Sequence, residues 1–345
     1  MDIKLSDVSI TPIIHSITRL NISDDEYFSK KYKDYISNSR LKLINPLQDG
    51  SPSLYKEGFS VSNSDSLLFG TFVHQCYLQP EEFELPVDYG KPSAKLGEVC
   101  DKAIKYRLSG NSIYSSIYKA CIDVDYYSSN ISTKRIKSIL EVLIPYYSRL
   151  KKDNMLNKPT LCSKKIQSVH NCINNLKKCS AATKLISPVD LFGDPIECHN
   201  EDAIFIDYLC KYKDKSCTLK FKLKVDNWTI DTENKKLVLN DLKTTGKNVD
   251  YFMYKGGSFN KFHYSRQFAA YFEALYLLCK RDFNVDKSWN LEANVIAVET
   301  IGDNRVATYR VYPGQLSKGK EEFHKLLKMV GICELFGYNN NYKFI

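Results

Sequence analysis

One segment of the chain alternates strictly between apolar and charged side chains, and this pattern constrains its backbone more than any other. From Thr218 to Asp226 the apolar residues occupy the odd positions and the charged residues the even ones: Leu219, Phe221, Leu223 and Val225 against Lys220, Lys222, Lys224 and Asp226. A β-strand with one face in a protein core has this period of two. The sequence therefore predicts a strand with one buried face and one polar face.

Strands and helices are also predicted on both sides of this segment. Short runs rich in β-branched and aromatic residues predict strands at Ala203–Leu209, Leu237–Lys243, Ala293–Val298 and Val306–Val311. Helical spacing of apolar residues predicts helices at Asp24–Leu43, Ser66–Tyr77, Ile136–Ile144, Ile166–Leu185, Phe262–Leu278 and Gln315–Leu335. This order predicts an α/β fold in which a mixed central sheet is flanked by helices, with a helical N-terminal half.

The predicted organisation is a single domain over residues 1–345, because the chain has no internal repeat and no long linker. Its mainly helical part covers about 1–200, its sheet about 201–312, and its closing helix 313–345. No stretch approaches the ~18 apolar residues of a membrane span, and charged residues occupy the N-terminus where a signal peptide is apolar. We therefore expect a cytoplasmic protein.

The cysteines and the net charge limit the class of protein further. Eleven cysteines without any CxxC pair predict reduced thiols, mostly in the core, and no iron–sulfur cluster. The net charge is +9, and residues 151–185 carry eight lysines against one acid, Asp153. This local excess suits a polyanionic partner, although a solvated helical face explains it equally well.

The most informative residues for chemistry are Asp241, Leu242 and Lys243. With a period of two, Asp241 and Lys243 share a face about 7 Å apart, and Leu242 points into the core. Asp226 ends the preceding strand, so pairing of the two strands would bring its carboxylate to Asp241. Such a cluster repels itself unless a cation lies between, and oxygen ligands suit Mg²⁺ or Mn²⁺. The alternative is an ordinary strand that runs into a turn.

Other candidate residues surround this motif in the sequence. Glu201 begins an earlier strand and could add a third carboxylate, while Gln267 and Tyr271 share one helix face. His74 lies on the helical stripe Leu67, Thr71, His74 and Leu78, where a core histidine is the alternative to a metal ligand. For Ser37 and Ser39, helix capping is favoured over phosphate contact.

Four blocks of the chain together resemble the PD-(D/E)XK nuclease superfamily, and within it the RecE-like phage exonucleases, known as exodeoxyribonuclease VIII-like. The blocks are Tyr35–Lys42 followed by Pro46, Leu68–His74 leading to Leu78–Pro80, Leu223–Asp226 leading to Asp241–Thr245, and Tyr264–Tyr271. The likeness runs from about residue 30 to 280. One departure is Val225, preceded by Lys224, where the family often has arginine before the aspartate.

The resemblance implies a PD-(D/E)XK nuclease core and assigns roles to individual residues. It implies catalytic roles for Glu201, Asp226, Asp241 and Lys243, with Mg²⁺ or Mn²⁺ held by His74, Glu201, Asp226, Asp241 and the backbone carbonyl of Leu242. It implies DNA contacts for Ser39, Arg40, Lys224, Arg266, Gln267 and Tyr271, the last two as the family's Gln-x-x-x-Tyr helix. Glu197 stays open as an alternative ligand to Glu201.

The implied activity is Mg²⁺-dependent exonuclease digestion of linear double-stranded DNA, 5′ to 3′, which leaves 3′ single-stranded tails for phage-type recombination. The implied partners are duplex DNA ends, a single-strand annealing protein and further copies of the chain in an oligomer. Two alternatives stay open: an endonuclease or single-strand-specific nuclease of the same superfamily, and a DNA-binding protein that has lost catalysis.

Overall fold

The structure, a computed structural model, describes residues 2–58, 64–127 and 131–345. These residues form two compact units. The first comprises the described part of 1–61 together with 175–345, and the second the described part of 62–174. The prediction of one domain over 1–345 stays a prediction, because a compact unit need not fold on its own.

The first unit contains every strand of the described residues and seven helices that lie wholly within it. Its strands are β1 (Asp2–Ile3), β2 (Val8–Leu20), β3 (Glu197–Tyr212), β4 (Lys215–Asp231), β5 (Lys236–Thr245), β6 (Asn290–Glu299), β7 (Val306–Arg310) and β8 (Lys343–Phe344). Its helices are α1 (Asp24–Tyr27), α2 (Asn38–Leu41), α3 (Pro52–Glu57), α9 (Ser180–Ile186), α10 (Ser258–Lys261), α11 (Tyr264–Phe283) and α12 (Pro313–Phe336). Helix α8 (Ser163–Lys178) begins in the second unit and ends in the first.

A six-stranded sheet forms the centre of the first unit, in the order β2-β3-β4-β5-β6-β7. Strands β5 and β6 are parallel, and the other neighbours are antiparallel. A parallel pair needs a crossover connection, which here contains α10 and α11. The predicted fold class, a mixed central sheet flanked by helices with a helical N-terminal half, is confirmed.

The main core lies between this sheet and helices α11 and α12. Phe221 of β4 packs edge-on against Phe323 of α12, with ring centroids 5.2 Å apart. The two helices approach each other closely at Gly319, where an added Cβ would lie 2.0 Å from the carbonyl oxygen of Ser265. This contact leaves no room for a side chain, so α11 is held firmly over the sheet.

The alternation of β4 changes phase at Asp226. Before it, the core residues are odd-numbered, the last two being Leu223 and Val225, whereas after it they are Trp228 and Ile230. The neighbouring strand β3 is irregular at the same level, since Glu201 has a left-handed backbone with φ of 54°. The register is the same on both sides of this level, since Asn200 pairs with Asn227 and Asp202 with Val225, so the irregularity adds no residue to either strand. The two carboxylates therefore lie where the sheet departs from regular pairing.

The predicted strands are all present and most are longer in the structure, but one prediction for the N-terminal segment is wrong and one strand there was missed. The region from Asp24 to Leu43 is not one helix; it breaks into α1, α2 and single 3-10 turns, with Ser23 and Ser37 capping the two helices. Strand β2 was not predicted. It pairs with β3 through a register shift, which interrupts the simple alternation that identifies strands.

The second unit is helical, with α4 (Asp65–Leu78), α5 (Ala94–Leu108), α6 (Ile113–Val124), α7 (Thr133–Lys152) and most of α8. Its core includes Val99, Ile117, Leu143 and Tyr146. The ammonium of Lys91 is buried and binds Asp101 at 2.7 Å, Asp65 at 3.2 Å and the carbonyl of Thr160 at 2.9 Å. Among the described residues, no helix is long and apolar enough to cross a membrane.

Candidate metal centre

Three carboxylates lie in one row across neighbouring strands of the sheet. The pairs Asn200–Asn227 and Asp202–Val225 flank Glu201 and Asp226, so the register of β3 and β4 sets these two residues opposite each other. The pair Asn227–Asn240 likewise sets Asp226 opposite Asp241 of β5. A carboxylate oxygen of Glu201 lies within 4.8 Å of one of Asp226.

The strands β4 and β5 part at this row. Their backbone pairing ends at Asn227 and Asn240, and the carboxylate of Asp226 accepts the N–H of Leu242 at 2.8 Å. The side chain thus satisfies a backbone donor that the neighbouring strand no longer reaches. This bond fixes the position of Asp226, which is 9% exposed.

Lys243 forms an ion pair with Asp241, as the shared face of the two residues predicted. Asp241 is 1% exposed and also accepts a hydrogen bond from the side-chain amide of Gln267 at 3.3 Å. Burial alone would lower the pKa of Lys243, but the nearby Asp241 and Asp226 outweigh it and raise that pKa above its usual value. The lysine therefore keeps its positive charge at neutral pH.

Two tyrosines on α11 complete the surroundings of the pair. The ring of Tyr264 lies 5.2 Å from the ammonium of Lys243. Burial, together with the charges of Asp241 and Asp226, raises the pKa of Tyr271 well above its usual value, so its hydroxyl stays protonated. Gln267 and Tyr271 share one face of this helix, as predicted from their spacing, and Gln267 reaches Asp241 directly.

Two lysines on the polar face of β4, Lys222 and Lys224, are less exposed than their alternation predicted, whereas Lys220 is exposed. Lys222 is 7% exposed and donates to the carbonyl of Tyr27 at 2.7 Å, so the prediction of a solvated polar face is wrong there. Lys224 forms ion pairs with Glu201 at 3.1 Å and with Asp24 at 2.6 Å. The segment around α1 covers this face, which the period of β4 could not reveal.

A ladder of asparagine amides, of which Asn227, Asn240 and Asn294 are buried, runs beside the carboxylate row, and sequence analysis missed it. Asn227 donates to Asn200 at 2.8 Å, Asn240 to Asn227 at 2.7 Å, and Asn294 to Asn240 at 3.1 Å. The signal was an asparagine within the largely apolar segments of β4, β5 and β6. Because each amide satisfies its neighbour, the ladder fixes the register of four strands next to the carboxylates.

The remaining predicted ligands differ in their placement. Leu242 is buried as predicted, and its carbonyl oxygen lies 3.4 Å from the ammonium of Lys243, at the level of the row. Glu197 lies four residues before Glu201 on β3, about 13 Å along the strand, and binds His199 at 2.9 Å. Of the two alternatives, Glu201 is therefore the one beside Asp226.

His74 lies on α4 in the second unit and is partly exposed. The stripe on which it lies is mixed, since Leu67 is 57% exposed and Thr71 is exposed whereas Leu78 is 2% exposed, so the alternative of a core histidine stays open. The buried residues of α4 are Phe69, Val73, Cys76, Tyr77 and Leu78. The role of His74 as a metal ligand stays a prediction.

The predicted DNA contacts on α2 are solvent-accessible. The hydroxyl of Ser37 accepts the N–H of Arg40 at 3.2 Å, which confirms its predicted capping role. Ser39 is exposed and Arg40 partly exposed, with its guanidinium over the ring of Tyr55 at 4.8 Å. Both residues are available for contact with a phosphate, which stays a prediction.

Arg266 has a different environment from the one that a DNA contact requires. It is 2% exposed and donates to Asn38 at 2.9 Å, Gln48 at 3.0 Å and Glu322 at 2.9 Å. These bonds join α2, α11 and α12 within the first unit. The predicted DNA contact does not fit this burial. Arg266 instead forms a structural ion pair with Glu322.

Replacing Arg266 with methionine is expected to lower the free energy of unfolding by about 3 kcal/mol, because a buried ion pair loses one partner. Urea denaturation measures this change. The matched control Arg310→Met removes an exposed arginine with a weak ion pair to Glu292 at 3.8 Å, and should change stability by less than about 1 kcal/mol. If the Arg266 variant kept its stability but bound DNA more weakly, the structural role would be contradicted and the predicted DNA contact supported.

Comparisons with known proteins give no family. No family model matches the chain, and no curated protein matches it. Among solved structures, it is similar to a proposed exonuclease from Eubacterium rectale, with 11% identity, 90% of this chain and 86% of that chain covered, and a TM-score of 0.46. It is also similar to the protein VC1899 from Vibrio cholerae, with 10% identity, 82% and 59% covered, and a TM-score of 0.18. Likenesses this weak carry no argument about function.

The donor set itself fits a divalent cation. Carboxylates from adjacent strands and a backbone carbonyl at the same level are hard oxygen ligands, which Mg²⁺ and Mn²⁺ prefer over nitrogen or sulfur. Two carboxylates within 4.8 Å of each other repel, and a cation between them removes that cost.

The eleven cysteines are free thiols, most of them buried as predicted.

Proposed function

We propose that this protein is a Mg²⁺-dependent nuclease that hydrolyses phosphodiester bonds of DNA at the carboxylate row. The observation that carries the proposal is the placement of Asp226 and Asp241 at one level of two parting strands, with Lys243 paired to Asp241. Phosphodiester hydrolysis needs a deprotonated water and neutralisation of the charge that develops on the phosphate. A divalent ion, when bound, supplies both of these.

The residues of the row take separate roles in this proposal. Glu201, Asp226, Asp241 and the carbonyl of Leu242 would hold the ion, with His74 as the further ligand that the family resemblance implies. Lys243 would orient the attacking water and favour its hydroxide form through its charge. Tyr271, as a neutral phenol, and Gln267 would position the substrate beside Asp241.

The proposed substrate is linear double-stranded DNA degraded from its ends in the 5′ to 3′ direction. Net charge supports a polyanionic substrate, and seven of the eight lysines between 151 and 185 are exposed. The direction, the dependence on ends, the oligomer and an annealing partner rest on the family resemblance. Ser39, Arg40 and Lys224 are the residues that we assign to the phosphate backbone.

The test uses a linear duplex labelled at either the 5′ or the 3′ end and a covalently closed circle, each with Mg²⁺ or with EDTA. We expect the 5′ label to be released first as mononucleotide, the 3′ label to be retained, and the circle to survive. EDTA should abolish all release. Rapid nicking of the circle would contradict the exonuclease and support an endonuclease. If no cleavage occurred with Mg²⁺ or Mn²⁺, the proposed activity itself would be contradicted.

A further inference from the structure

Two cysteines lie opposite each other near the hairpin end of the central sheet. Cys210 of β3 and Cys217 of β4 are register partners in the antiparallel pairing, and both are free thiols. The hairpin closes two pairs further on, at Tyr212 and Lys215. The backbone therefore holds the two cysteines at directly opposed positions.

The distance between these positions suits a disulfide bond. Directly opposed residues of antiparallel strands have Cα atoms about 4.5–5.5 Å apart. A disulfide spans about 4.4–6.8 Å between Cα atoms, a range that includes this separation. The thiol of Cys217 donates to the carbonyl of Gly331 on α12 at 3.7 Å, and a Cβ added to Gly331 would also meet the sulfur of Cys210, so both side chains lie on the same side of the sheet.

The two thiols differ in access to solvent and in acidity. Cys210 is buried against α12, where a Cβ on Gly331 would lie 2.2 Å from its sulfur. Cys217 is partly exposed. The neighbouring thiol of Cys210 lowers the pKa of Cys217, and the neighbouring thiol of Cys217, together with burial, raises the pKa of Cys210. Cys217 is therefore the thiol that a reagent in solution can reach and that more readily becomes a thiolate.

We propose that Cys210 and Cys217 are a modification site, where a small-molecule disulfide such as oxidised glutathione converts them to an intramolecular disulfide. The thiolate of Cys217 attacks one sulfur of the reagent and forms a mixed disulfide with it. The other half of the reagent leaves as a thiolate and takes up the proton that Cys217 lost. The sulfur of Cys210 then attacks the Cys217 sulfur of this mixed disulfide. The second half of the reagent leaves as a thiol with the proton of Cys210. Two electrons pass from the protein to the reagent, which is released as two thiols.

This site is separate from the carboxylate row. Nine residues along β3 separate Cys210 from Glu201, which is about 30 Å of strand. The bond would join two strands that are already paired, so the folded structure should change little. It would constrain the unfolded chain, and the oxidised protein should melt at a higher temperature than the reduced one.

Tryptic peptide mapping after blocking of the remaining thiols tests the proposal. Lys211, Lys213 and Lys215 lie between the two cysteines, so trypsin separates them unless a disulfide joins the peptides. After treatment of the folded protein with oxidised glutathione, we expect the joined peptides and a loss of two free thiols. Reduction with dithiothreitol should reverse both changes.

Three variants make the outcome specific. Cys217→Ser and Cys210→Ser should each abolish the joined peptides, whereas Cys179→Ser, which removes another partly exposed thiol, should leave them unchanged. A folded wild-type protein that yields no joined peptides would overturn the proposal. So would joined peptides that form only after unfolding in urea, because the opposed positions of the native strands would then play no part.

Discussion

Replacing Asp226 with asparagine is expected to reduce Mg²⁺-dependent DNA cleavage by about 10³-fold or more. The asparagine side-chain oxygen can still accept the N–H of Leu242, so the hydrogen bond at 2.8 Å and the parting of β4 and β5 should persist. What is lost is a negative charge beside Glu201 and Asp241. Divalent metals supply several kcal/mol of transition-state stabilisation, and about 4 kcal/mol corresponds to that loss of rate.

The matched control for this variant is Asp231→Asn. Asp231 is the last residue of the same strand, five residues or about 16 Å from Asp226, and its carboxylate accepts from the backbone and side chain of Asn234. The same change of charge there should leave cleavage within about twofold of wild type, since the group is remote from the row. Equal loss of activity in both variants, or full activity in Asp226→Asn, would show that the row is not the site of hydrolysis.

Lys243→Ala is expected to lower both activity and stability. The ammonium that orients the attacking water is removed, and cleavage should fall by about 10²–10⁴-fold, the range of a positioned proton-transfer group. Without a metal, the variant also leaves the 1% exposed Asp241 without its ammonium partner, which costs about 3–5 kcal/mol. Cleavage assays and urea denaturation in EDTA measure the two effects.

A second substitution separates the two effects of Lys243→Ala. Adding Asp241→Asn removes the buried charge, so the double variant should recover part of the stability but none of the activity. The control Lys236→Ala removes a lysine of the same strand that is 40% exposed and pairs with Glu292 at 3.3 Å, and should change neither. Recovery of cleavage in the double variant would contradict a direct role for the lysine.

The central sheet could be predicted because its strands carry local signals. The alternation of Thr218–Asp226 and the apolar run before Asp241 identified β4 and β5, and the shared face of Asp241 and Lys243 followed from the period of two. The observed strands are longer, since pairing continues into polar residues such as Lys215 and Thr245 that no apolar pattern marks. The site residues on β4 and β5 could therefore be predicted from the sequence.

Other features depend on contacts between segments that are distant in the chain, and the sequence could not reveal them. The burial of Lys222 follows from the carbonyl of Tyr27, 195 residues away, and the burial of Arg266 from Asn38, 228 residues away. The core residues of β4 change from odd to even positions at Asp226, opposite the left-handed Glu201 of β3. No local pattern in either strand marks this change. The family resemblance implied a DNA contact for Arg266, next to Gln267, and only Gln267 faces the row.

Calorimetric titration of the protein with Mn²⁺ tests the central claim most directly, because it measures the ion at the carboxylate row without requiring a substrate. We expect wild-type protein and Asp231→Asn to bind Mn²⁺ alike, and Asp226→Asn to bind at least tenfold more weakly at unchanged melting temperature. Equal binding by all three proteins, or no binding by the wild type, would contradict the assignment of the row as a metal centre.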